Sequence, residues 1–199
     1  MARANTTYLI RSRRQLAALA SAARQEIVDV LTQMGPVLVS ELASVLGRPA
    51  DALYYHLRTL TQAGLVHESR CRGPKGREAA LFRAVGTDLR IDYEALRGHN
   101  ANALGNVISS MMRLGIRDFR KALCNEKITV SGQERELWAL RRVGWLTKDD
   151  LKAVVKSMEK LADSVAQPSG KGQLYGITIL LTPLKRRRAR TQLTSCRTK

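Results

Sequence analysis

The sequence predicts a mainly α-helical fold with a small β component, an α+β chain, and three observations carry this prediction. Before residue 64, apolar residues recur three or four positions apart in three separate segments, which is the spacing of one helix face. Residues 65–85 then change to a β-rich pattern around a turn of glycine and proline. From residue 99 onward the helical spacing returns. At 199 residues the chain has room for one large domain or two small ones.

Three helices are predicted in the first part of the chain. The longest spans residues 12–34, where a glycine and a proline follow and end it. A short helix comes next over residues 40–46, with Ser40 as its N-cap. The third helix covers residues 49–63 and begins at a proline, which the first turn of a helix tolerates. Two helices joined by so short a turn form a helix-turn-helix.

A basic β-hairpin is predicted directly after these helices. Residues 65–72 and 78–85 have the composition of two strands, and the Gly-Pro-Lys-Gly stretch at residues 73–76 supplies the turn. Three helices followed by a basic hairpin is the layout of a winged helix-turn-helix domain. We therefore predict that such a domain forms the first part of the chain.

The second half of the chain is predicted to be mostly helical. Residues 99–123 carry a long apolar stripe at helical spacing, and a second stripe follows Thr147, which we interpret as a helix cap. Residues 138–143 and 174–182 are β-rich and are predicted as short strands. The chain thus divides into a loose basic arm (1–11), a winged helix-turn-helix domain (12–90), a helical dimerisation or sensing region (91–184) and a disordered basic tail (185–199).

The net charge of the chain indicates which class of partner it binds. Thirty-four Lys and Arg against seventeen Asp and Glu give a net charge of +17, which favours a polyanionic partner because each neutralised phosphate releases counterions. No apolar stretch is long enough for a membrane helix, and residues 1–14 have no apolar core of the length that a secretory signal needs. We therefore expect a cytoplasmic protein without a membrane partner.

No enzymatic chemistry is predicted from the sequence. It contains no phosphate-binding glycine loop, no zinc-protease motif and no nucleophile elbow. Cys71, Cys124 and Cys196 are far apart and lack a Cys-x-x-Cys spacing, so we expect three free thiols and no metal site. We predict neither catalytic residues nor a cofactor.

One face of the third helix carries the predicted DNA contacts. Leu53, Leu57 and Leu60 lie four and three residues apart, so they share a face that we expect to be buried. The opposite face would then enter the major groove of double-stranded DNA, which is roughly 12 Å wide. The candidate contacts on or beside this helix are Arg48, Asp51, Ala52, Tyr54, Tyr55, His56, Arg58 and Thr59. The basic hairpin adds Arg70, Arg72, Lys75 and Arg77 as contacts to the flanking phosphates. His56 lies near the buried edge, so a packing role is the alternative for it.

Four stretches of the sequence resemble the ArsR-type family of winged helix-turn-helix regulators. They cover residues 24–31, 40–43, 55–60 and 63–66, and the resemblance as a whole extends over residues 15–86. It implies a homodimer that binds a pseudo-palindromic operator, with repression as the commoner mode. Metal-sensing members of the family bear paired cysteines near the recognition helix. The short second helix here has no cysteine, so thiolate metal sensing is not expected.

Pairing of two protomers is expected to involve the first helix and the later helical stripes. Half-sites would then be separated by about one turn of DNA, roughly 34 Å. A small-molecule effector would act on the second half of the chain. Two other classes of function also fit the charge: an RNA-binding or ribosome-associated basic module, and a protein-interaction adaptor whose winged helix binds no nucleic acid.

Overall fold

The computed structural model describes residues 6–72, 78–96, 98, 100–166 and 172–184. Within these residues, five strands and six helices follow one another along the chain. They are β1 (Thr7–Ile10), α1 (Arg13–Leu19), α2 (Ala22–Met34), β2 (Val37–Leu38), α3 (Val39–Leu46), α4 (Ala50–Gln62), β3 (Val66–Arg72), β4 (Glu78–Ala84), β5 (Asp88–Ile91), α5 (Ala101–Leu123) and α6 (Lys148–Ala166). The predicted fold class, a winged helix-turn-helix followed by a mostly helical region, is confirmed.

The first predicted helix is in fact two helices, so its prediction as a single element is wrong. A capping box starts α1: the N–H of Gln15 donates to Ser12 Oγ (3.2 Å), and the N–H of Ser12 donates to Gln15 Oε1 (3.2 Å). The break lies between α1 and α2. Arg24 and Gln25, in the first turn of α2, donate from their side chains to carbonyls at the end of α1. The bond from Gln25 Nε2 to the carbonyl of Leu19 is 2.8 Å long. These bonds satisfy acceptors that a helix end otherwise leaves open.

Strand β1 corrects the prediction of a loose N-terminal arm. It pairs in parallel with β5, so that Thr7 lies opposite Asp88 and Ile10 opposite Ile91. Ile10 is buried in the core. The prediction is therefore wrong at residues 7–10, and β5 itself was not predicted. Neither strand has a strong alternating sequence pattern. Each is stabilised by a partner about eighty residues away, which no local pattern reveals.

The core of the first half lies between α1, α2, α3 and α4. Its largest fully buried side chains include Leu16, Ile27, Leu31, Leu42 and Leu53. The apolar stripe predicted over residues 12–34 thus faces the core of its own protomer. Most of its side chains are buried there, and only Ala23 and Met34 are half-buried, so the pairing of two protomers through this stripe stays a prediction with little surface to support it.

The wing, which we define as strands β3 and β4, confirms the predicted hairpin. The two strands are antiparallel, with Val66 opposite Ala84 and Arg72 opposite Glu78. The other edge of β4 pairs with the short strand β2, giving a sheet in the order β2-β4-β3. Because β2 leads directly into α3, the sheet ties the wing to the helix-turn-helix. The predicted turn at residues 73–76 lies outside the described residues.

The second half contains the two predicted helices but not the two predicted strands. Residues 138–143 and 174–182 form no strand, so these predictions are wrong. Their β-rich composition is not enough, because a strand needs a partner to bond its backbone groups. The predicted start of α6 is confirmed: the N–H of Asp150 donates to Thr147 Oγ1 (3.2 Å), and the N–H of Thr147 donates to Asp150 Oδ2 (2.9 Å). The tail at 185–199 lies outside the described residues.

Candidate nucleic-acid interface

The turn between α3 and α4 is fixed by backbone geometry. Helix α3 ends at Gly47, which adopts a left-handed conformation with φ of 60°, and the N–H of Arg48 donates to the carbonyl of Ala43 (3.1 Å). A glycine adopts this conformation without steric cost. At the other end, α3 begins one residue before the predicted cap Ser40, with Leu38 in the N-cap position. There the side chain of Glu41 accepts from the N–H of Leu38 (2.8 Å).

Helix α4 has one buried face and one face exposed to solvent. Leu53, Leu57 and Leu60 have no exposed surface, as their spacing predicted. On the opposite side, Tyr55 is 70% exposed and Tyr54 is 49% exposed. The exposed candidate contacts on this helix, which we call the outer face of α4, are Asp51, Ala52, Tyr54, Tyr55 and Arg58. This face offers one guanidinium and two phenols to the solvent side of the helix.

Two of the candidate contacts lie at the side of α4 rather than on its outer face. Thr59 is half-buried, and its hydroxyl donates to the carbonyl of Tyr55 (3.0 Å), one turn earlier. His56 is also half-buried, and its ring packs edge-on against Tyr55 with ring centres 5.5 Å apart. Burial, followed by the nearby charges of Arg24 and Arg48, lowers the pKa of His56. A neutral imidazole is therefore the favoured form at neutral pH, which does not suit a phosphate contact.

Arg48 stands at the entrance to α4 and is held by an acidic side chain of α2. Its Nη2 atom lies 2.5 Å from Glu26 Oε2. The same carboxylate binds Arg117 of α5, with Nη2 of Arg117 2.6 Å from Glu26 Oε1. Glu26 thus joins α2, the turn before α4 and α5 in one ion-paired group. Sequence reasoning missed Glu26 and Arg117, because the partners are 22 and 91 residues apart along the chain and no local pattern connects them.

The wing places two further candidate contacts on an exposed strand. Arg70 and Arg72 are both exposed on β3, and as residues two apart they project from the same face. Arg70 forms a surface ion pair with Glu78 of β4, with 2.6 Å between Nη1 and Oε2. An exposed pair of this kind contributes little to stability, so a phosphate can compete for the guanidinium. Lys75 and Arg77 lie outside the described residues.

The cysteines of the described part have different settings. Cys71 on β3 is half-buried, and Cys124 after α5 is exposed. Within the described residues, no group of three or more His, Cys, Asp and Glu side chains is arranged to hold a metal ion. No helix in the described part of the chain is long and apolar enough to cross a membrane.

The comparison with known families bears on the same part of the chain. Residues 19–69 match a protein family described as a helix-turn-helix domain. The matched segment begins at the last residue of α1 and ends within β3, so it contains both helices of the motif and the start of the wing. No curated protein matches the chain. The chain therefore carries, over about a quarter of its length, a segment similar to the helix-turn-helix family, and this similarity suggests a DNA-binding regulator.

Proposed function

We propose that this protein is a cytoplasmic transcriptional regulator of the ArsR type, which binds double-stranded DNA in a sequence-specific manner, acts as a homodimer and represses its target genes. The observation that carries the proposal is the two-sidedness of α4. Three leucines without exposed surface bury one face of the helix, and Tyr55 and Arg58 are exposed on the opposite face. An exposed polar helix face braced in this way is suited to the major groove.

The outer face of α4 would read the bases. Arg58 can donate two hydrogen bonds to a guanine edge, and Tyr54 and Tyr55 can bond to bases or phosphates. The wing would hold the flanking backbone through Arg70, Arg72, Lys75 and Arg77, which position the protein without reading sequence. Arg48 would add a phosphate contact at the start of α4 if Glu26 released it. Thr59 and His56 support the helix from its sides.

Two features support the homodimer and its repressing mode. The first is the resemblance of residues 15–86 to regulators that bind operators as pairs. The second is the apolar surface that the described part of the second half leaves exposed, including the side chains of Leu151 and Leu161. A symmetric pair of protomers would place two recognition helices on half-sites about one helical turn apart, roughly 34 Å. A protein bound across an operator in this way blocks access to the promoter.

The test is a binding titration with selected DNA. Duplexes are first selected by the protein from a random pool, and their affinity is then measured by fluorescence anisotropy at several salt concentrations. We expect the affinity to fall steeply with salt, because phosphate contacts release counterions. Arg58→Ala should reduce the preference for the selected sequence by about 5- to 150-fold, equivalent to roughly 1–3 kcal/mol.

The control replaces an exposed arginine of α5 that lies far from the outer face of α4 in sequence and on another helix. Arg120→Ala should keep the sequence preference of the parent protein. Tighter binding of structured RNA than of the selected duplex would contradict the proposal and favour an RNA-binding module. A weak interaction that is insensitive to salt would contradict it in favour of a protein-interaction adaptor.

A further inference from the structure

Helix α6 has a well-defined start, but within the described residues it has no extended packing partner. A capping box between Thr147 and Asp150 defines its start, and α6 extends for 19 residues. Nevertheless, among the described residues it buries none of its side chains and makes no extended contact with another helix or strand. Helices of this length are stable in water mainly through packing of an apolar face. The apolar face of α6 therefore requires a packing surface that the described residues do not provide.

The apolar residues of α6 follow the spacing of a coiled coil. Leu151, Val154, Met158, Leu161 and Val165 are separated by three, four, three and four residues, and we call them the α6 seam. This is the alternation of the a and d positions in a heptad repeat, in which side chains of one helix pack between those of another. One shallow groove lies on the seam itself, between Val154, Met158 and Leu161, and a second lies beside it; both are lined by residues of α6 alone.

The one described ion pair between α6 and the first half of the chain lies on the far side of the helix. Asp163 binds Arg90 of β5, with 2.9 Å between Oδ1 and Nη2. In the heptad that places the α6 seam at a and d, Asp163 occupies position f, which is opposite the seam. The contact with β5 is thus made from the side of α6 opposite the seam. Within the seam, Leu151, Leu161 and Val165 are exposed, and Val154 and Met158 are half-buried.

The charge of α6 permits contact with an identical helix. The whole chain has a net charge of +17, so most of its surface would repel a second copy. On α6, four lysines are balanced by four acidic residues. The two positions that flank the middle of the seam, Ser157 and Ala162, are uncharged, and the same holds for Val155 and Ser164. Two copies can therefore approach along this helix without electrostatic repulsion.

We propose that the α6 seam packs against the α6 seam of a second copy of this chain. The proposal rests on the homodimer of the proposed function and names its contact surface. A seam of two heptads is short compared with a standard interface of about 800 Å² per partner. Association in solution is therefore weak, and it becomes strong when neighbouring half-sites on one DNA molecule raise the local concentration of the protomers.

The test compares the full chain with two variants by sedimentation velocity over a range of concentrations. Met158→Gln with Leu161→Gln places two polar residues of high helix propensity on the seam. Lys156→Gln with Glu159→Gln introduces the same residues outside the seam and preserves the net charge. We expect the parent protein to change from monomer to dimer with concentration. The seam variant should raise the dissociation constant of the dimer by about tenfold or more, and the control variant should leave it unchanged.

A second measurement separates this proposal from the proposed function. On a duplex with two half-sites the seam variant should bind more weakly than the parent, and on a duplex with one half-site both should bind equally. A parent protein that stays monomeric at every concentration would overturn the pairing, as would a dimer that the seam variant leaves intact. A lower melting temperature of the seam variant as a monomer would also overturn it, because the seam would then pack within its own chain. Absence of DNA binding in every variant would contradict the proposed function, and sedimentation would still decide the pairing.

Discussion

At the scale of single residues, Glu26 links the candidate interface to the rest of the molecule. Its side chain is only 18% exposed and binds two guanidinium groups, from Arg48 and Arg117. Two positive charges around one carboxylate leave neither arginine fully available to a phosphate. Because Arg48 lies just before the N-cap of α4 and Arg117 belongs to α5, the carboxylate of Glu26 connects the entrance of α4 to the second half of the chain.

Replacing Glu26 with Gln tests this connection. The amide keeps the shape of the side chain but loses the charge, so we expect the free energy of unfolding to fall by about 1–3 kcal/mol in urea denaturation. We also expect Arg48 to become available to DNA, which should increase the slope of log affinity against log salt by about one. The control is Glu134→Gln in the exposed segment after α5, which should change neither quantity. An unchanged salt slope in Glu26→Gln would show that Arg48 does not reach the DNA.

His56 gives a pH-dependent prediction at the same scale. Burial and the charges of Arg24 and Arg48 lower its pKa in the folded state, so the unfolded state binds the proton more readily. Stability linked to His56 is thus complete above the unfolded pKa of about 6.5 and is lost as the pH falls toward the lower pKa of the folded state. Urea denaturation of the parent and of His56→Gln at pH 7.5 and pH 5.5, both chosen about one unit from that value, measures the effect.

The difference between the two proteins isolates His56, because the other titrating groups are common to both. We expect the parent protein to lose more stability on acidification than His56→Gln. Equal losses would mean that the imidazole is not desolvated on the side of α4. In that case His56 would belong with the exposed residues of the outer face of α4.

At the scale of elements, the turn between α3 and α4 depends on the backbone conformation of one residue. Gly47 has a φ of 60°, and a Cβ added there would meet no atom within 4 Å. The effect of Gly47→Ala is therefore purely conformational, and we expect a loss of about 1–2 kcal/mol in the free energy of unfolding. Gly105→Ala on α5 is the matched substitution, because its Cβ is equally unobstructed.

The two glycine variants should change stability in opposite directions. Gly105 lies inside a helix, where alanine is more stable than glycine by roughly 0.5–1 kcal/mol, so Gly105→Ala should raise the midpoint of urea denaturation and Gly47→Ala should lower it. Destabilisation of both variants by the same amount would indicate steric crowding instead of a backbone requirement. The DNA affinity of the folded Gly105→Ala protein should equal that of the parent.

Elements also differ in how much of them could be predicted. The edge of α4 formed by Leu53, Leu57 and Leu60 was predictable, since helical spacing is a local property of the sequence. The start of α6 was predictable for the same reason, because Thr147 and Asp150 are three residues apart. In contrast, the break between α1 and α2 depends on Arg24 and Gln25, whose bonds to preceding carbonyls leave no periodic signal.

At the scale of the whole molecule, the spacing of the half-sites tests the proposed homodimer. Two recognition helices held by one rigid pair of protomers contact the same face of the duplex only at a fixed separation. Inserting about five base pairs between the half-sites turns one site to the opposite face, since a turn contains about 10.5 base pairs. We expect the affinity to fall to that of a single half-site, as measured by fluorescence anisotropy.

Inserting about ten base pairs restores the face but changes the distance, and it serves as the control for rotation alone. We expect only partial recovery of affinity with this duplex, because both half-sites again face the same side but at a longer distance. Equal affinity for all three duplexes would contradict a homodimer on DNA, because independent monomers do not sense spacing. The Glu26 and glycine predictions would be unaffected by that result.

The sequence by itself determined the features that depend on neighbours along the chain: the helix-turn-helix, the hairpin of the wing and the two later helices. Each of these rests on periodicity, capping or turn residues within a few positions. Only the tertiary structure decided the pairing of β1 with β5, the grouping of Arg48 and Arg117 around Glu26, and the absence of a strand at residues 174–182. These features depend on contacts between distant segments, and their free energy exists only after the chain has folded and brought the partners together.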